Sequence, residues 1–120
     1  MKYIDLIHKI KAVAGARDDE SQDALELVVE NIASNLTEYT RRGFAAKLPK
    51  ELQDAAQTAP TMGIVDDDII DQLMDIDDVD ERRAKRNIRA AWRALCEYFD
   101  PESVEDIQAE LPQHMKVVLG

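Results

Sequence analysis

A constant offset of 63 residues brings the two halves of this sequence into register without a gap. The shift places Leu48-Pro49 on Leu111-Pro112 and keeps three amphipathic stripes in phase. Apolar pairs include Leu6/Ile69, Ile7/Ile70, Ile10/Leu73, Val13/Ile76, Leu25/Ile88, Ile32/Leu95, Phe44/Ile107 and Leu52/Met115. Self-similarity at a fixed period is typical of a structural unit that is used twice. We therefore predict one repeat over residues 1–57, a linker over 58–65 and a second repeat over 66–120, packed together as one globular domain.

Each repeat is expected to form four helices, because its apolar residues recur at three- and four-residue spacing. The predicted helices cover about 3–14, 19–36, 38–47 and a segment from Pro49 in the first repeat, and 66–76, 82–99, 101–110 and a segment from Pro112 in the second. Candidate N-caps are Asp18 or Asp19, Thr37, Asp78 or Asp80, and Asp100. The prediction is an all-α fold of eight helices, built as two four-helix repeats that are related by a pseudo-twofold.

The composition favours a folded, helical protein. Hydrophobic residues make up 45% of the chain, which argues against disorder, while four glycines, four prolines and 5% aromatics are few for an all-β domain. We expect Trp92, the only tryptophan, in the core of the second repeat. No apolar run is long enough to span a membrane, the charged N-terminal stretch is not a signal peptide, and a single cysteine excludes a disulfide framework. The expected location is cytoplasmic.

The two Leu-Pro corners carry a resemblance to a known family. The stretches 44–52 and 107–115 share the pattern apolar-x-x-x-Leu-Pro-x-x-apolar, and each follows a long amphipathic helix and a capped short helix. In this respect the chain resembles the bacterial domain-of-unknown-function family 2267, over nearly its whole length. The resemblance implies a helical fold with this unit present once or twice. It implies no activity that could be assigned to residues, and the arginines and the tryptophan of the second long helix depart from the family's more leucine-rich pattern.

The charge of the chain is strongly negative and unevenly distributed. Its 15 basic and 25 acidic residues give a formal net charge of −10. Nine acids and no base lie between Asp66 and Glu81, and six bases and no acid then follow between Arg82 and Arg93. Such a field repels bulk nucleic acid and anionic membranes, so we expect neither as a partner. An acidic surface suits a basic partner, and it also suits solubility alone.

Four arginines and four acids occupy equivalent positions in the two long helices. Arg82, Arg86, Arg89 and Arg93 fall, at the offset of 63, on Asp19, Asp23, Glu26 and Glu30, and both sets have the spacing i, i+4, i+7, i+11. We name them the arginine stripe and the acidic stripe. One hypothesis is that the stripes meet antiparallel between the repeats, pairing Arg93 with Asp19, Arg89 with Asp23, Arg86 with Glu26 and Arg82 with Glu30. Alternatively, the arginines neutralise the acidic segment 66–81, or both stripes are solvated.

No catalytic, cofactor-binding or metal-binding residues are predicted. Calcium loops need acids at positions 1, 3 and 5 and a glycine at 6, and neither Asp66 nor Asp75 starts such a register. The ligands for a zinc site are too few, because His8, His114 and Cys96 lie far apart in sequence. Glycine-rich phosphate loops and nucleophile turns are absent from the sequence. Enzyme activity is therefore not expected.

The sequence favours a binding role. We expect a small interaction or regulatory module that acts through an unidentified protein partner, as a monomer or a homodimer. The alternative is an acidic antagonist that mimics nucleic acid and blocks a basic site on another protein; this function needs the acids of 66–81 exposed in one continuous patch. Catalysis ranks third, and it would need a concave pocket lined by convergent polar groups.

Overall fold

The computed structural model describes residues 1–59 and 68–120, and within these ranges it contains eight α-helices and no strand. The helices are α1 (Tyr3–Ala14), α2 (Asp18–Asn35), α3 (Glu38–Lys47), α4 (Lys50–Thr58), α5 (Ile69–Asp77), α6 (Glu81–Tyr98), α7 (Pro101–Glu110) and α8 (Gln113–Leu119). The prediction of an all-α fold with eight helices is confirmed for the described part of the chain.

Most of the predicted helix boundaries agree with the structure to within one residue. Helices α1, α3 and α7 have the predicted ends, and the long helices α2 and α6 begin and end one residue earlier than predicted. The predicted linker begins one residue too early, because Thr58 is still the last residue of α4. The rest of the linker from residue 60, and the predicted start of α5 at residue 66, lie outside the described residues.

The N-caps were predicted correctly for α3, α6 and α7 but not for α2. Asp80 caps α6 by accepting a hydrogen bond from the backbone nitrogen of Arg83 at 2.8 Å. At α2 the N-cap is Arg17, and the predicted Asp18 and Asp19 already belong to the first turn. The reason is Glu20, the third residue of α2. Its carboxylate accepts a hydrogen bond from the Arg17 backbone nitrogen at 3.4 Å, and this bond is typical of a capping box, so the helix begins directly after Arg17.

The Leu-Pro corners form as predicted. Helices α3 and α7 end immediately before Leu48 and Leu111, and both leucines are buried. Pro49 and Pro112 occupy the N-cap positions of α4 and α8. Since proline disfavours helical geometry in the residue before it, each proline separates two short helices while the leucine side chain fills the corner between them.

Helices of the two halves are interleaved in one core. Besides its packing within its own half, α1 lies against the long helix α6 of the second half, and α5 lies against the long helix α2 of the first. The two long helices also contact each other, and Phe44 stacks on Phe99 with ring centroids 5.4 Å apart. Buried side chains from both halves therefore form one continuous core.

Two polar contacts between the halves are reciprocal. Lys47 of α3 donates a hydrogen bond to the Ser103 hydroxyl of α7 at 2.7 Å, and Thr40 of α3 donates one to Glu110 of α7. Lys47 and Glu110 are 63 residues apart, as are Thr40 and Ser103. A twofold relation between the halves would produce contacts of this kind; the relation itself stays a prediction.

Candidate interaction surfaces

Helix α6 has one face in the core and one basic face in solvent. Ile88 and Leu95 are fully buried on the core side, while all four side chains of the arginine stripe are exposed. The cap at Asp80 fixes where the helix starts, and the 3.6-residue period then places the four arginines on one line. At about 1.5 Å per residue this line is roughly 16 Å long.

The arginine stripe borders a concave groove of about 600 Å³ between α6 and α1. We call it the arginine groove, and its lining residues are Val13, Glu81, Arg82, Lys85, Arg86, Arg89, Ala90 and Arg93. Five cations face a single acid there. Val13 and Ala90 contribute the apolar part of the lining. A locally positive concavity has thus formed on a protein whose net charge is −10.

The cations of the groove have no acidic partner within residues 1–59 and 68–120. None of Arg82, Arg86, Arg89 and Arg93 forms an ion pair there. Arg89 donates only a 3.4 Å hydrogen bond to the Val118 carbonyl, and its side-chain stem lies beside Gly120. In the described part of the chain, no ion pair therefore joins the arginine stripe to the acidic segment 66–81, and Glu81 is the one acid of that segment that lines the groove.

The acidic stripe lies on a different surface, so the predicted pairing of the two stripes within one chain is wrong. A smaller hollow of about 130 Å³, which we call the acidic hollow, is lined by Asp23, Glu26, Leu27, Glu30 and Ile76 and shares no residue with the arginine groove. Asp19 pairs instead with Arg17, the N-cap residue of α2, at 3.3 Å. The physical reason is the interleaving: α1 flanks the stripe on α6, and α5 flanks the stripe on α2, so each stripe faces outward beside its flanking helix.

The long helices are joined by a different ion pair, between Glu20 and Arg83. The Arg83 guanidinium donates two hydrogen bonds of 2.6 Å, from Nε to Oε2 and from Nη2 to Oε1 of Glu20. Asn87 donates a third at 3.2 Å, and the Glu20 side chain is 0% exposed. These hydrogen bonds, led by those from Arg83, lower the pKa of Glu20 to about 2 although burial opposes the shift.

Sequence reasoning missed this pair although a signal for it was present. Glu20 and Arg83 are also 63 residues apart with reversed charge, as the stripe residues are. Neither residue belongs to the i, i+4, i+7, i+11 pattern, so the spacing of the stripes does not predict this pair. The same offset that suggested the four stripe pairs also relates Glu20 to Arg83, and the carboxylate of this pair is fully buried.

The acidic hollow adjoins a second, unfavourable cluster of acids. Oδ2 of Asp77, in the last turn of α5, is buried and accepts no hydrogen bond from a donor in the described residues. Burial raises the pKa of Asp77 to about 7, with further contributions from a hydrogen bond to Asp23 and from the charges of Asp23, Glu20 and Asp19. Two carboxyl groups can share a hydrogen bond only while one of them holds a proton, so Asp77 and Asp23 repel each other once both are ionised.

Replacing Asp77 with asparagine should stabilise the protein at alkaline pH. A carboxyl group with a raised pKa binds its proton more tightly in the folded state, so it lowers stability as the pH rises from about 3.8 to about 7, and the loss is constant above that. Water screens the exposed part of Asp77, so we expect a gain of about 1 kcal/mol or less above pH 7. Chemical denaturation across this pH range measures the effect. Asp75→Asn, on the exposed side of α5, is the control, and equal pH profiles of the two variants would contradict the assignment.

Other reactive side chains do not converge on a site. Cys96 is half-buried, and burial raises the pKa of its thiol to about 11, which makes it a weak nucleophile at neutral pH. His8 and His114 are both exposed. In residues 1–59 and 68–120, no three histidine, cysteine or acidic side chains are placed to hold a metal ion together. Among the described helices, none combines the length and the apolarity needed to cross a membrane.

A family model described as an uncharacterized conserved protein, DUF2267, matches residues 3–117. The chain belongs to this family. The resemblance seen at the Leu-Pro corners is thereby confirmed, and the DUF2267 match covers the arginine groove, the acidic hollow and the Glu20–Arg83 pair. No curated protein and no solved structure matches the chain significantly. Since the description of DUF2267 states no activity, the role of this DUF2267 protein has to be inferred from its surfaces.

Proposed function

We propose that this protein is an interaction module that binds an acidic segment of a partner protein in the arginine groove. The observation that carries the proposal is a concavity lined by five cations, none of which has an acidic partner in the described residues. Guanidinium groups bind carboxylates in a bidentate geometry, and a row of four arginines offers this geometry along roughly 16 Å. We propose binding rather than catalysis as the role, because the groove presents a row of cations and its lining contains no serine, cysteine or histidine.

An acidic protein segment fits the groove better than a nucleic acid. The Debye length at physiological ionic strength is about 8 Å, so a short ligand inside the groove is influenced mainly by the nearby arginines. A long polyanion would extend beyond the groove and meet the field of a protein with a net charge of −10. No aromatic side chain lines the groove to stack on bases, whereas Val13 and Ala90 suit the aliphatic side chains of a peptide.

The cytoplasm is the proposed compartment, because a chain with one cysteine forms no internal disulfide, and disulfides are typical of proteins in oxidising compartments.

The alternative function, an acidic antagonist of a basic protein site, is favoured by the exposed acids Asp71, Asp75 and Asp78. It ranks second because Asp80 is engaged as the cap of α6 and Asp77 is half-buried, which interrupts the acidic patch. Asp66 and Asp67 lie outside the described residues.

Titration with fluorescently labelled poly-L-glutamate tests the proposal. We expect saturable binding that Arg86→Gln/Arg89→Gln weakens by about tenfold or more, because two of the cations that face the ligand are lost. The matched control is Arg42→Gln/Lys50→Gln, which removes two exposed cations outside the groove and should bind as the native protein does.

Two outcomes would contradict the proposal. One is an equal loss of affinity in both double variants, which would mean that the affinity for poly-L-glutamate depends only on the net charge of the protein and not on the groove. The other is tighter binding of a labelled DNA duplex with a similar number of charges, since this would make nucleic acid the preferred ligand. Circular dichroism of each variant establishes that a loss of binding is not a loss of fold.

A further inference from the structure

The arginine groove and the acidic hollow are counterparts at the offset of 63. Five residues of the groove fall on the five residues that line the hollow: Val13 on Ile76, Arg86 on Asp23, Arg89 on Glu26, Ala90 on Leu27 and Arg93 on Glu30. Each surface consists of one long helix and one aliphatic side chain from the helix that flanks it. The two surfaces thus have matching positions and opposite charge.

The flanking aliphatic residues are themselves unusual. The apolar pattern placed Val13 and Ile76 with the core positions of α1 and α5, yet they are 40% and 55% exposed in the structure. Each lies beside one of the two charged surfaces. A pair of exposed aliphatic side chains at equivalent places gives both surfaces an apolar contact point next to their charges.

We propose that a second copy of this chain is a ligand of the arginine groove, and that it binds through its acidic hollow. The inference rests on the proposed function, because it names the acidic segment that the groove accepts. When two identical surfaces meet about a twofold axis, the contact is isologous and each charged residue faces a residue of like charge. The groove and the hollow occupy equivalent positions in the two halves of the chain but carry opposite charges. A contact of this kind between the groove of one copy and the hollow of another therefore brings opposite charges together.

The spacing of the stripes fits this contact. The intervals i, i+4, i+7, i+11 read the same in both directions, so two antiparallel helices match all four positions at once. The pairs would be Arg82 with Glu30, Arg86 with Glu26, Arg89 with Asp23 and Arg93 with Asp19 of the second copy. Val13 of one copy would then contact Ile76 of the other. The pairing that the fold prevents within one chain is available between two chains.

The contact leaves one surface of each kind free in a pair of copies. The acidic hollow of one molecule and the arginine groove of the other remain open, so further copies can add head to tail. Added copies also bring a net charge of −10 each, and this repulsion acts over longer distances than the contact pairs do. Association should therefore be weak at very low salt, strongest near about 0.15 M where the Debye length is short, and weak again in concentrated salt.

Sedimentation velocity of the full chain, from micromolar to millimolar concentration and across this range of salt, tests the proposal. Two variants each remove one side of the contact: Arg86→Gln/Arg89→Gln alters the groove, and Asp23→Asn/Glu26→Gln alters the hollow. We expect the native protein to form concentration-dependent oligomers and each variant to remain a monomer. An equimolar mixture of the two variants should regain association, limited to pairs, because only one intact contact is possible in it.

The mixture distinguishes this contact from a general effect of charge. Native protein that stays monomeric in every condition would overturn the inference, and so would a mixture that behaves as the sum of its two components. The poly-L-glutamate titration separates the two proposals. If the native chain binds poly-L-glutamate but stays monomeric, the groove serves another protein and only the inference about a second copy fails. If it does neither, both proposals fail.

Discussion

Replacing Arg83 with methionine is expected to lower the melting temperature by about 10 °C, because the fully buried Glu20 carboxylate then lacks its charged partner between the two long helices. The loss is not larger because Arg17 and Asn87 still contact Glu20. Glu20→Gln should cost less than Arg83→Met. It leaves the guanidinium as the unpaired charge, and the Arg83 side chain is 40% exposed and can be hydrated. Thermal unfolding followed by circular dichroism measures both changes.

Acid unfolding provides a second measurement of the same pair. The pKa of Glu20 is lowered from 4.5 to about 2 in the folded state, so its contribution to stability is complete above pH 4.5 and is lost as the pH falls towards 2. Glu20→Gln should remove this part of the pH dependence. Arg82→Met is the control, because Arg82 is the exposed neighbour of Arg83 and has no ion pair in the described residues. Equal melting of the Arg82 and Arg83 variants would refute the structural role of the pair.

Replacing Trp92 with alanine should lower the free energy of unfolding by about 3–5 kcal/mol. The indole is only 6% exposed, so its removal loses a large apolar contact area and leaves a cavity in the core of the second half. Val29, at the equivalent position of the first half, is fully buried but smaller, and Val29→Ala should cost less. Because the variant lacks the only tryptophan, urea denaturation has to be followed by circular dichroism rather than by fluorescence. A loss below about 1 kcal/mol would show that Trp92 is not packed as described.

The sequence was sufficient for the parts of the fold that depend on local chemistry. Apolar spacing located the helices, because each amphipathic segment has to bury one side. The prolines at 49 and 112 located the corners, since the restriction that proline imposes acts on its immediate neighbour. The one cap predicted wrongly, at α2, depended on Glu20, whose carboxylate is buried only because Arg83 reaches it from the other half of the chain.

The candidate surfaces could be predicted only in part. Helical spacing determined that the four arginines share one face of α6, but it did not determine which helix would lie beside that face. Here α1 of the opposite half flanks this face, so the acidic stripe cannot reach it. Val13 and Ile76 were grouped with the core for the same reason. Both residues continue the apolar spacing of their helices, but the packing of neighbouring helices decides which end of an apolar stripe remains exposed.

The interleaving of α1 with α6 and of α5 with α2 has a consequence for biosynthesis. A ribosome synthesises the chain from its N-terminus, so α1 emerges well before the α6 surface against which it packs. Neither half can complete its share of the core by itself, and cooperative folding has to wait until α6 has left the exit tunnel. Premature termination anywhere before Tyr98 would therefore release a chain with unburied apolar helix faces, which is a substrate for chaperones and proteases rather than a smaller folded protein.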